Sequence, residues 1–289
     1  MQNSPPLVTV IVLCYNHAKY LREAIQSVMV QDYDPVEIII VDDASTDGSR
    51  EVTKKILSDY PEIKGILLEE NLGNCRAFNR GLQLAGGKYV IDLAADDLLL
   101  PSRITVGVRE LESKGEDYGV HFCDAFHCNE DAEIISSHYH RNKKGQLLES
   151  VPQGEVYADL LSRYFICAPT MMIRKSVLDE LGGYNEELSF EDFDFWIRSS
   201  RKYLYAFSDD ILVKKRNLPN SLSKQQYRRN SKHFESTYTV CKTAVSLNRN
   251  AVEHKGLRRR ILYEAKMCAK NFKLIILIKY LSLMLRSYL

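Results

Sequence analysis

The chain has 289 residues, of which 45% are apolar and 27% charged, which suits one large globular domain or a domain with an appendage. It contains no long uncharged apolar run of the kind that crosses a membrane as a helix. The N-terminus, MQNSPPLVTV, lacks the basic and apolar regions of a secretory signal, and the seven cysteines form no C-x-x-C pair. We therefore expect a cytoplasmic protein with reduced, mostly buried thiols.

The formal net charge of +1 hides two parts of opposite sign. Residues 214–289 carry 18 Lys and Arg against three acids, a net charge of +15. Residues 1–213 carry 21 basic and 35 acidic residues, a net charge of −14. An acidic body with a basic tail predicts an anionic partner for the tail, either nucleic acid or a phospholipid surface.

The N-terminal third alternates between predicted strands and helices. Four apolar runs without helical period predict buried strands: LVTVIVLCY, VEIIIVDD, KGILLEE and KYVIDLA. Three segments with helical spacing lie between them: HAKYLREAIQSVMVQ, ASTDGSREVTKKILSDYP and GNCRAFNRGLQLAGG. This alternation predicts a doubly wound α/β layer, with a mainly parallel central sheet and flanking helices.

Polar residues follow each of the four predicted strands. The carboxyl ends of parallel strands lie at one edge of a sheet, and ligands bind beyond that edge. We therefore expect four groups of residues to meet on one rim: Tyr15 and Asn16, Asp42 and Asp43, Asn71, and Asp96 and Asp97.

The pattern loosens after Pro101. The predicted elements are a helix in SRITVGVRELESKG, a hairpin in YGVHFCDAFHCNEDAEIISSHY, a strand and helix in APTMMIRKSVLDELGGYNEEL, and a helix in FEDFDFWIRSSRKY. The chain is predicted to be helical from about Arg228 onward. Its last segment, NFKLIILIKYLSLMLRSYL, fits either a helix in a membrane interface, with Lys and Arg reaching the headgroups, or a helix packed on the core.

The paired acids carry the chemistry of the predicted rim. Neither G-x-G-x-x-G nor G-x-x-x-x-G-K-[ST] occurs, so phosphates would need another partner, and a divalent cation is the obvious one. Asp96 and Asp97 offer the hard oxygen ligands that Mg²⁺ or Mn²⁺ prefers. Taken alone, Asp96-Asp97 would be a solvated turn, and Glu191-Asp192 would be first-turn acids that favour the helix dipole.

A scattered set of His and Cys residues raises the alternative of a zinc site. Their spacing matches no zinc motif, and strand alternation divides them between two faces. The set consists of His121, Cys123, His127, Cys128, His138 and His140.

Six segments in order resemble family 2 glycosyltransferases of the GT-A fold, from Val8 to about Ser223. They are VTVIVLCYNHAKYLREAIQSVMVQ, EIIIVDDASTDGS, NLGNCRAFNRGLQLAGGKYV, ADDLLLP, GGYNEELSFEDFDFWIR and NSLS. The resemblance implies a nucleotide-sugar donor, with UDP the favoured nucleotide, one divalent cation (Mn²⁺ or Mg²⁺), and inverting transfer to a hydroxyl. It also implies a catalytic domain over 1–225, with a nucleotide-binding half (1–100), an acceptor half (101–225) and a basic helical extension (226–289).

The resemblance also implies roles for individual residues. The nucleobase would be held by Leu13, Tyr15 and Asp43, with Tyr15 stacking. The nucleotide pocket would be lined by the segment Gly73–Asn79, which includes Arg76. Asp96 would approach the ribose or phosphate, Asp97 would bind the metal, and Asp192, next to Glu191, would be the general base.

Two positions depart from the family pattern. Ala94 stands where the metal motif has its earlier Asp, and Leu218 stands where the family often has His. The metal would then rest on fewer protein ligands, with phosphate oxygens and water completing its shell. Lys214, Lys215 and Arg216 could neutralise the diphosphate instead.

Three functions are compatible with this sequence. The leading hypothesis is an inverting glycosyltransferase acting on a glycan or lipid-linked acceptor in polysaccharide biosynthesis, held on the inner face of the cell membrane through residues 271–289. The alternative is a catalytically weakened GT-A module that binds nucleotide sugar or glycan and scaffolds a membrane complex. A nucleotidyltransferase is the third, and it usually needs a basic phosphate-binding loop near the first strand, which is absent.

Overall fold

The first half of the sheet follows the predicted pattern. The computed structural model describes residues 4–219, 221, 224, 226–228 and 230–288. Its first four strands come from runs whose β-branched residues favour extended backbone. They are β1 (Val8–Cys14), β2 (Val36–Asp42), β3 (Lys64–Leu67) and β4 (Tyr89–Ala94). β1 pairs with β2 and β4, β2 pairs with β3, and all three pairings are parallel.

Helices connect these strands, since parallel pairing requires crossovers. They are α1 (Ala18–Met29), α2 (Ser49–Asp59) and α3 (Asn74–Leu82). Strand alternation then supplies a core on each side of the sheet. On β1, Ile11 and Leu13 belong to one core, and Val10 and Val12 belong to the other.

The second half is mixed rather than parallel. Its strands are β5 (Leu98–Leu99), β6 (Tyr118–Cys128), β7 (Ile134–Ser137), β8 (Met172–Arg174) and β9 (Leu204–Arg216). Its helices are α4 (Arg103–Lys114), α5 (Tyr157–Ser162), α6 (Lys175–Leu181) and α7 (Asp192–Ser199), with a 3₁₀ turn at Ala168–Thr170. The strand order is β3-β2-β1-β4-β8-β6-β9-β5, and β7 pairs antiparallel with β6, which confirms the predicted hairpin.

The pairing of β9 matters most for the site. β9 runs parallel to β6 and antiparallel to β5, with Leu98 opposite Lys214. β5 begins directly after the Asp96-Asp97 turn. The end of β9 therefore lies beside the acids that follow β4.

The C-terminal helices complete the core. They are α8 (His233–Leu247), α9 (Ala251–Lys270) and α10 (Leu274–Arg286). Phe234, Leu257 and Tyr280 from these helices share one core cluster with Phe193 and Trp196 of α7. The boundary predicted after residue 225 is therefore not a break in the hydrophobic core.

The last helix, α10, has two different faces. Ile276, Tyr280 and Leu283 are buried, whereas Leu274 and Ile278 are exposed. Core packing thus accounts for one face of the segment and leaves the other in solvent. No helix in the described part of the chain is long and apolar enough to cross a membrane.

Truncation on the buried face of α9 should destabilise the whole chain. Leu257 is fully buried, so Leu257→Ala is expected to lower the free energy of unfolding by about 2–5 kcal/mol through lost burial and a cavity. Leu262→Ala, on the exposed side of the same helix, should change it by less than about 0.5 kcal/mol. Urea unfolding followed by circular dichroism measures both. Equal, small effects would show that the tail is not part of the core.

Candidate active site

The loops after β1, β2 and β3 meet at one edge of the sheet. The backbone N–H of Asn16 donates to Ser45 Oγ at 3.0 Å, and that of Thr46 donates to Asn16 Oδ1 at 2.7 Å. The side-chain amide of Asn71 donates to the carbonyl of Asp43 at 3.2 Å. These contacts bring three of the four predicted groups together on one rim.

Asp43 shapes the loop that leads into α3. Its Oδ1 accepts the N–H of Leu72 at 2.7 Å, and its Oδ2 accepts the N–H of Gly73 at 2.9 Å. Each carboxylate oxygen keeps a lone pair for a ligand. Gly73 has a φ of +85°, and a Cβ there would meet nothing within 4 Å, so this position needs glycine for its backbone and not for space.

The structure separates two residues predicted to hold a nucleobase. Tyr15 follows β1 with 47% of its surface exposed, so its ring is free to stack on a ligand. Leu13 is buried in the core, and its carbonyl accepts the N–H of Ala95 at 2.9 Å. The side chain of Leu13 therefore cannot line the cleft, because alternation along β1 turns it inward.

The nucleotide-pocket role expected of Asn79 and Arg76 is likewise not what their contacts support. Asn79 donates to the Tyr184 carbonyl at 2.8 Å and accepts the Tyr184 N–H at 2.9 Å. Arg76 is exposed, and its Nε lies 3.8 Å from Glu186 Oε2. Asn79 instead holds the loop after α6. Gly183 is required there, since a Cβ would lie 2.4 Å from Asn79 Oδ1.

Asp96 and Asp97 form a buried turn after β4. The N–H of Asp97 donates to the Ala94 carbonyl at 2.9 Å, and His17 Nδ1 lies 3.6 Å from Asp96 Oδ1. Burial, reinforced by the Asp96 carboxylate, raises the pKa of Asp97 to about 8. The paired carboxyls therefore favour a proton or a cation between them.

Arg216, at the end of β9, fastens this turn. Its backbone N–H donates to Asp97 Oδ1 at 2.9 Å, and its Nη1 donates to the Asp96 carbonyl at 2.6 Å. The guanidinium also pairs with Glu23 and lies 4.9 Å from the ring centre of Tyr20. Arg216 is thus committed to the protein, which argues against the predicted role in neutralising a diphosphate.

The second acidic pair opens α7. Asn74, in the first turn of α3, donates to Glu191 Oε2 at 2.5 Å, and Asp192 Oδ1 accepts the N–H of Phe193 at 2.6 Å. Burial and then the Asp192 carboxylate raise the pKa of Glu191 to about 7. Burial also raises the pKa of Asp192. A carboxylate with a raised pKa suits general-base work near neutral pH.

Sequence reasoning missed the residue that links the two acidic pairs. Asp92 lies on β4, two residues before Ala94, and so on the same face of the strand. Burial raises its pKa well above the usual range, and the Glu191 and Asp97 carboxylates add to that rise. A charged residue inside an apolar strand was the available signal.

The described residues include no group of three or more His, Cys, Asp or Glu side chains arranged to hold a metal ion. His127 Nε2 lies 3.3 Å from His138 Nδ1, whereas His121 bonds to Ser208 at 2.9 Å. A hard cation at the rim would use the carboxylates of Asp97 and Asp96, with other ligands from outside the protein. The crowded oxygens of that turn fit such a cation.

Comparisons with known proteins place this chain in a family. Residues 9–182 match glycosyl transferase family 2, which is more than half of the chain. An uncharacterized glycosyltransferase of Methanocaldococcus jannaschii is 29% identical over 225 residues, which cover 74% of this chain and 72% of that protein. Relatives from Rickettsia felis and Rickettsia prowazekii are longer, and the match covers 34% and 64% of their lengths.

Solved structures share the fold. S. aureus TarS in complex with UDP-GlcNAc is 18% identical, with a TM-score of 0.68 and coverage of 97% of this chain and 79% of that chain. The mannosyltransferase PcManGT from Pyrobaculum calidifontis, in complex with GDP-Man and Mn²⁺, is 19% identical, with a TM-score of 0.62 and coverage of 97% and 74%. The fold is therefore GT-A. The chain belongs to glycosyl transferase family 2.

The raised pKa of Asp97 predicts how stability depends on pH. The folded carboxyl titrates at about 8, whereas an unfolded Asp titrates at about 4, so the folded state holds the extra proton between these values. Without metal, the thermal midpoint should therefore fall as the pH rises from about 5 to about 8. Scanning calorimetry in EDTA measures this slope.

Asp97→Asn should reduce the slope, because it removes one of the carboxyls with a raised pKa and keeps an oxygen for the Arg216 N–H. The exposed Asp131→Asn serves as the control and should leave the slope unchanged. If the thermal midpoints of the wild-type protein and both variants fall equally with pH, Asp97 does not titrate as described.

Proposed function

We propose that the protein transfers a sugar from a nucleotide-diphosphate donor, a UDP-sugar, to a hydroxyl acceptor with inversion. The observation that carries this proposal is that two acidic pairs lie at the same end of the sheet. Asp96-Asp97 follows β4, and Glu191 of the pair at α7 is held by Asn74, next to the Gly73 that Asp43 binds. The Glu191 and Asp97 carboxylates both act on Asp92. TarS in complex with UDP-GlcNAc and PcManGT in complex with GDP-Man supply the comparison for the donor class.

The acids divide the chemistry between donor and acceptor. Asp97 and Asp96 would hold the divalent cation, Mn²⁺ or Mg²⁺, which supplies positive charge to the departing diphosphate when bound. Tyr15 would stack on the nucleobase, and Asp43 would accept a hydrogen bond from it.

Asp192 would act as the general base. It takes the proton of the acceptor hydroxyl as that oxygen forms a bond to the anomeric carbon. The bond from that carbon to the diphosphate oxygen breaks on the opposite face, so one displacement inverts the configuration. Glu191, held by Asn74, lies beside Asp192, and the Asp192 charge contributes to the raised pKa of Glu191.

Replacement of the base should stop transfer without stopping nucleotide binding. Asp192→Asn keeps an acceptor for the Phe193 N–H and removes the base, so turnover should fall by about 10²–10⁴-fold. Binding of the donor nucleotide with Mn²⁺ should be unchanged by calorimetry. The exposed Glu187→Gln is the matched control.

The donor is identified first with a panel of nucleotide sugars and Mn²⁺. If no nucleotide sugar binds or reacts, the proposed function is wrong. If Asp192→Asn turns over at the wild-type rate, the assignment of the base is wrong.

We further propose that α10 holds the protein on an anionic membrane surface, where lipid-linked acceptors lie. Its exposed stripe has helical spacing and consists of Leu274, Ile278, Leu281 and Leu285. Lys279 and Arg286 flank the stripe, and the helix contains no acid. Anionic lipid favours each nearby Lys or Arg by about 1 kcal/mol.

Loss of one apolar contact should weaken this binding. Ile278→Ser should reduce co-sedimentation with phosphatidylserine-containing vesicles, and pure phosphatidylcholine vesicles should bind less of the wild-type protein. Ile135→Ser, at a similarly exposed residue of β7, is the control. Equal binding of both variants would contradict the proposal, as would preferential retention by a nucleic-acid duplex.

A further inference from the structure

Lys215 is the basic residue of β9 that turns toward the acids. Alternation along the strand puts its side chain opposite those of Lys214 and Arg216. Lys214 borders a surface groove with Glu23 and Leu98, and Arg216 pairs with the same Glu23. Lys215 pairs in register with His127 of the neighbouring strand β6. Its side chain lies on the face of the sheet away from Lys214.

The charge of Lys215 acts on both acidic pairs. Burial raises the pKa of Asp97, Glu191 and Asp192, and in each case the charge of Lys215 opposes the rise. Asp96 is within the same electrostatic range. One fixed cation therefore acts on both the end of β4 and the start of α7.

No described residue pairs directly with this ammonium. Within the described ranges, no carboxylate oxygen lies within 4.0 Å of Lys215 Nζ, and no acceptor takes a hydrogen bond from it. Arg216, the next residue, is satisfied by Asp97, Asp96 and Glu23. A partly buried cation without a partner gains free energy from an anionic ligand that reaches it.

The position of Lys215 indicates which anion that is. Phosphates would lie beside the Asp96-Asp97 turn, and the acceptor would lie beside Asp192. The bond between the sugar and the diphosphate must lie between them, where the Lys215 charge acts. Ala94 and Leu218 offer no ligand to a metal at this point, so the fixed cation carries more of the diphosphate charge.

We propose that Lys215 binds the donor diphosphate and stabilises its charge as it leaves, so that the protein recognises a diphosphate even without a divalent cation. This inference rests on the proposed function. The carbon–oxygen bond breaks as described above, the electron pair stays on the diphosphate, and Lys215 keeps its proton while donating hydrogen bonds to the phosphate oxygens.

Calorimetry in EDTA tests the inference with UDP and UMP, and with GDP and GMP in parallel. The wild-type protein should bind the diphosphate about tenfold or more tightly than the monophosphate, as expected for a charged hydrogen bond. Lys215→Met should lose this preference, and Lys215→Arg, which keeps the charge, should retain it. Lys214 lines the groove with Glu23 and Leu98, which argues against the diphosphate role predicted for it. Lys214→Met removes the same charge from the other face of β9 and should therefore retain the preference.

The outcomes separate this inference from the proposed function. A wild-type protein without a diphosphate preference in EDTA, or a Lys215→Met variant that keeps the preference, overturns the role of Lys215 alone. Failure of all nucleotides and nucleotide sugars to bind in Mn²⁺ overturns the proposed function. Selective loss of the preference in Lys215→Met, with its thermal midpoint close to that of Lys214→Met, supports the inference.

Discussion

The site depends on the repulsion among fully and partly buried carboxylates and on the cations of β9 that offset it. Asp92, Asp96 and Asp97 crowd the end of β4, and Glu191 and Asp192 face them from α7. Lys215 and Arg216, adjacent residues of β9, offset this negative charge in different ways.

Arg216 forms its hydrogen bonds and its ion pair within the protein. It binds Asp97, the backbone of Asp96, and Glu23, and so fixes the geometry of the acidic turn. Lys215 leaves the same strand on the other face and meets no direct partner among the described residues. The acidic turn is therefore held rigid by one cation, while the next is available to a ligand. That division is what a site for a charged, departing group requires.

The part of the site that follows from local pattern could be predicted from sequence. β-branched runs predict β1 to β4, and parallel pairing then brings their ends together, so Asp43, Asp96 and Asp97 could be placed on one rim. The resemblance to family 2 glycosyltransferases added α7 and its acids to that rim. These predictions needed no knowledge of which residues pack against each other across the fold.

The predictions that the contacts do not support depended on which way a side chain turns, or on a long-range contact. Leu13 lies at the right end of β1 but points into the core. Asn79 lies on the expected helix but is taken by the backbone of Tyr184, which is distant in sequence. Lys215 and Arg216 could not be distinguished until the pairing of β9 with β5 and β6 was known. The tail was predicted as an extension because its charge differs from the body, and charge does not report core packing.

The C-terminal helices join the surface of the protein to the site. Arg260 of α9 stacks on Tyr164 at 3.8 Å and lies 5.2 Å from the ring centre of Phe193, the residue after the proposed base. Burial raises the pKa of Asp192, and Arg260 is one of the charges that oppose the rise. The helix α10 packs on the same core through the face that lies opposite its exposed stripe. A membrane bound by α10 would therefore lie at a fixed orientation to α7, and the acceptor would approach the base from a defined side.

The central claim is single-displacement transfer from a nucleotide-diphosphate sugar, and the anomeric configuration of the first product tests it most directly. Proton NMR of the sugar transferred to water or to an acceptor hydroxyl reports that configuration when it is recorded before mutarotation. The account predicts a β-anomer from an α-linked donor. An α-anomer from that donor would mean retention and would contradict a mechanism in which Asp192 activates the acceptor for direct attack.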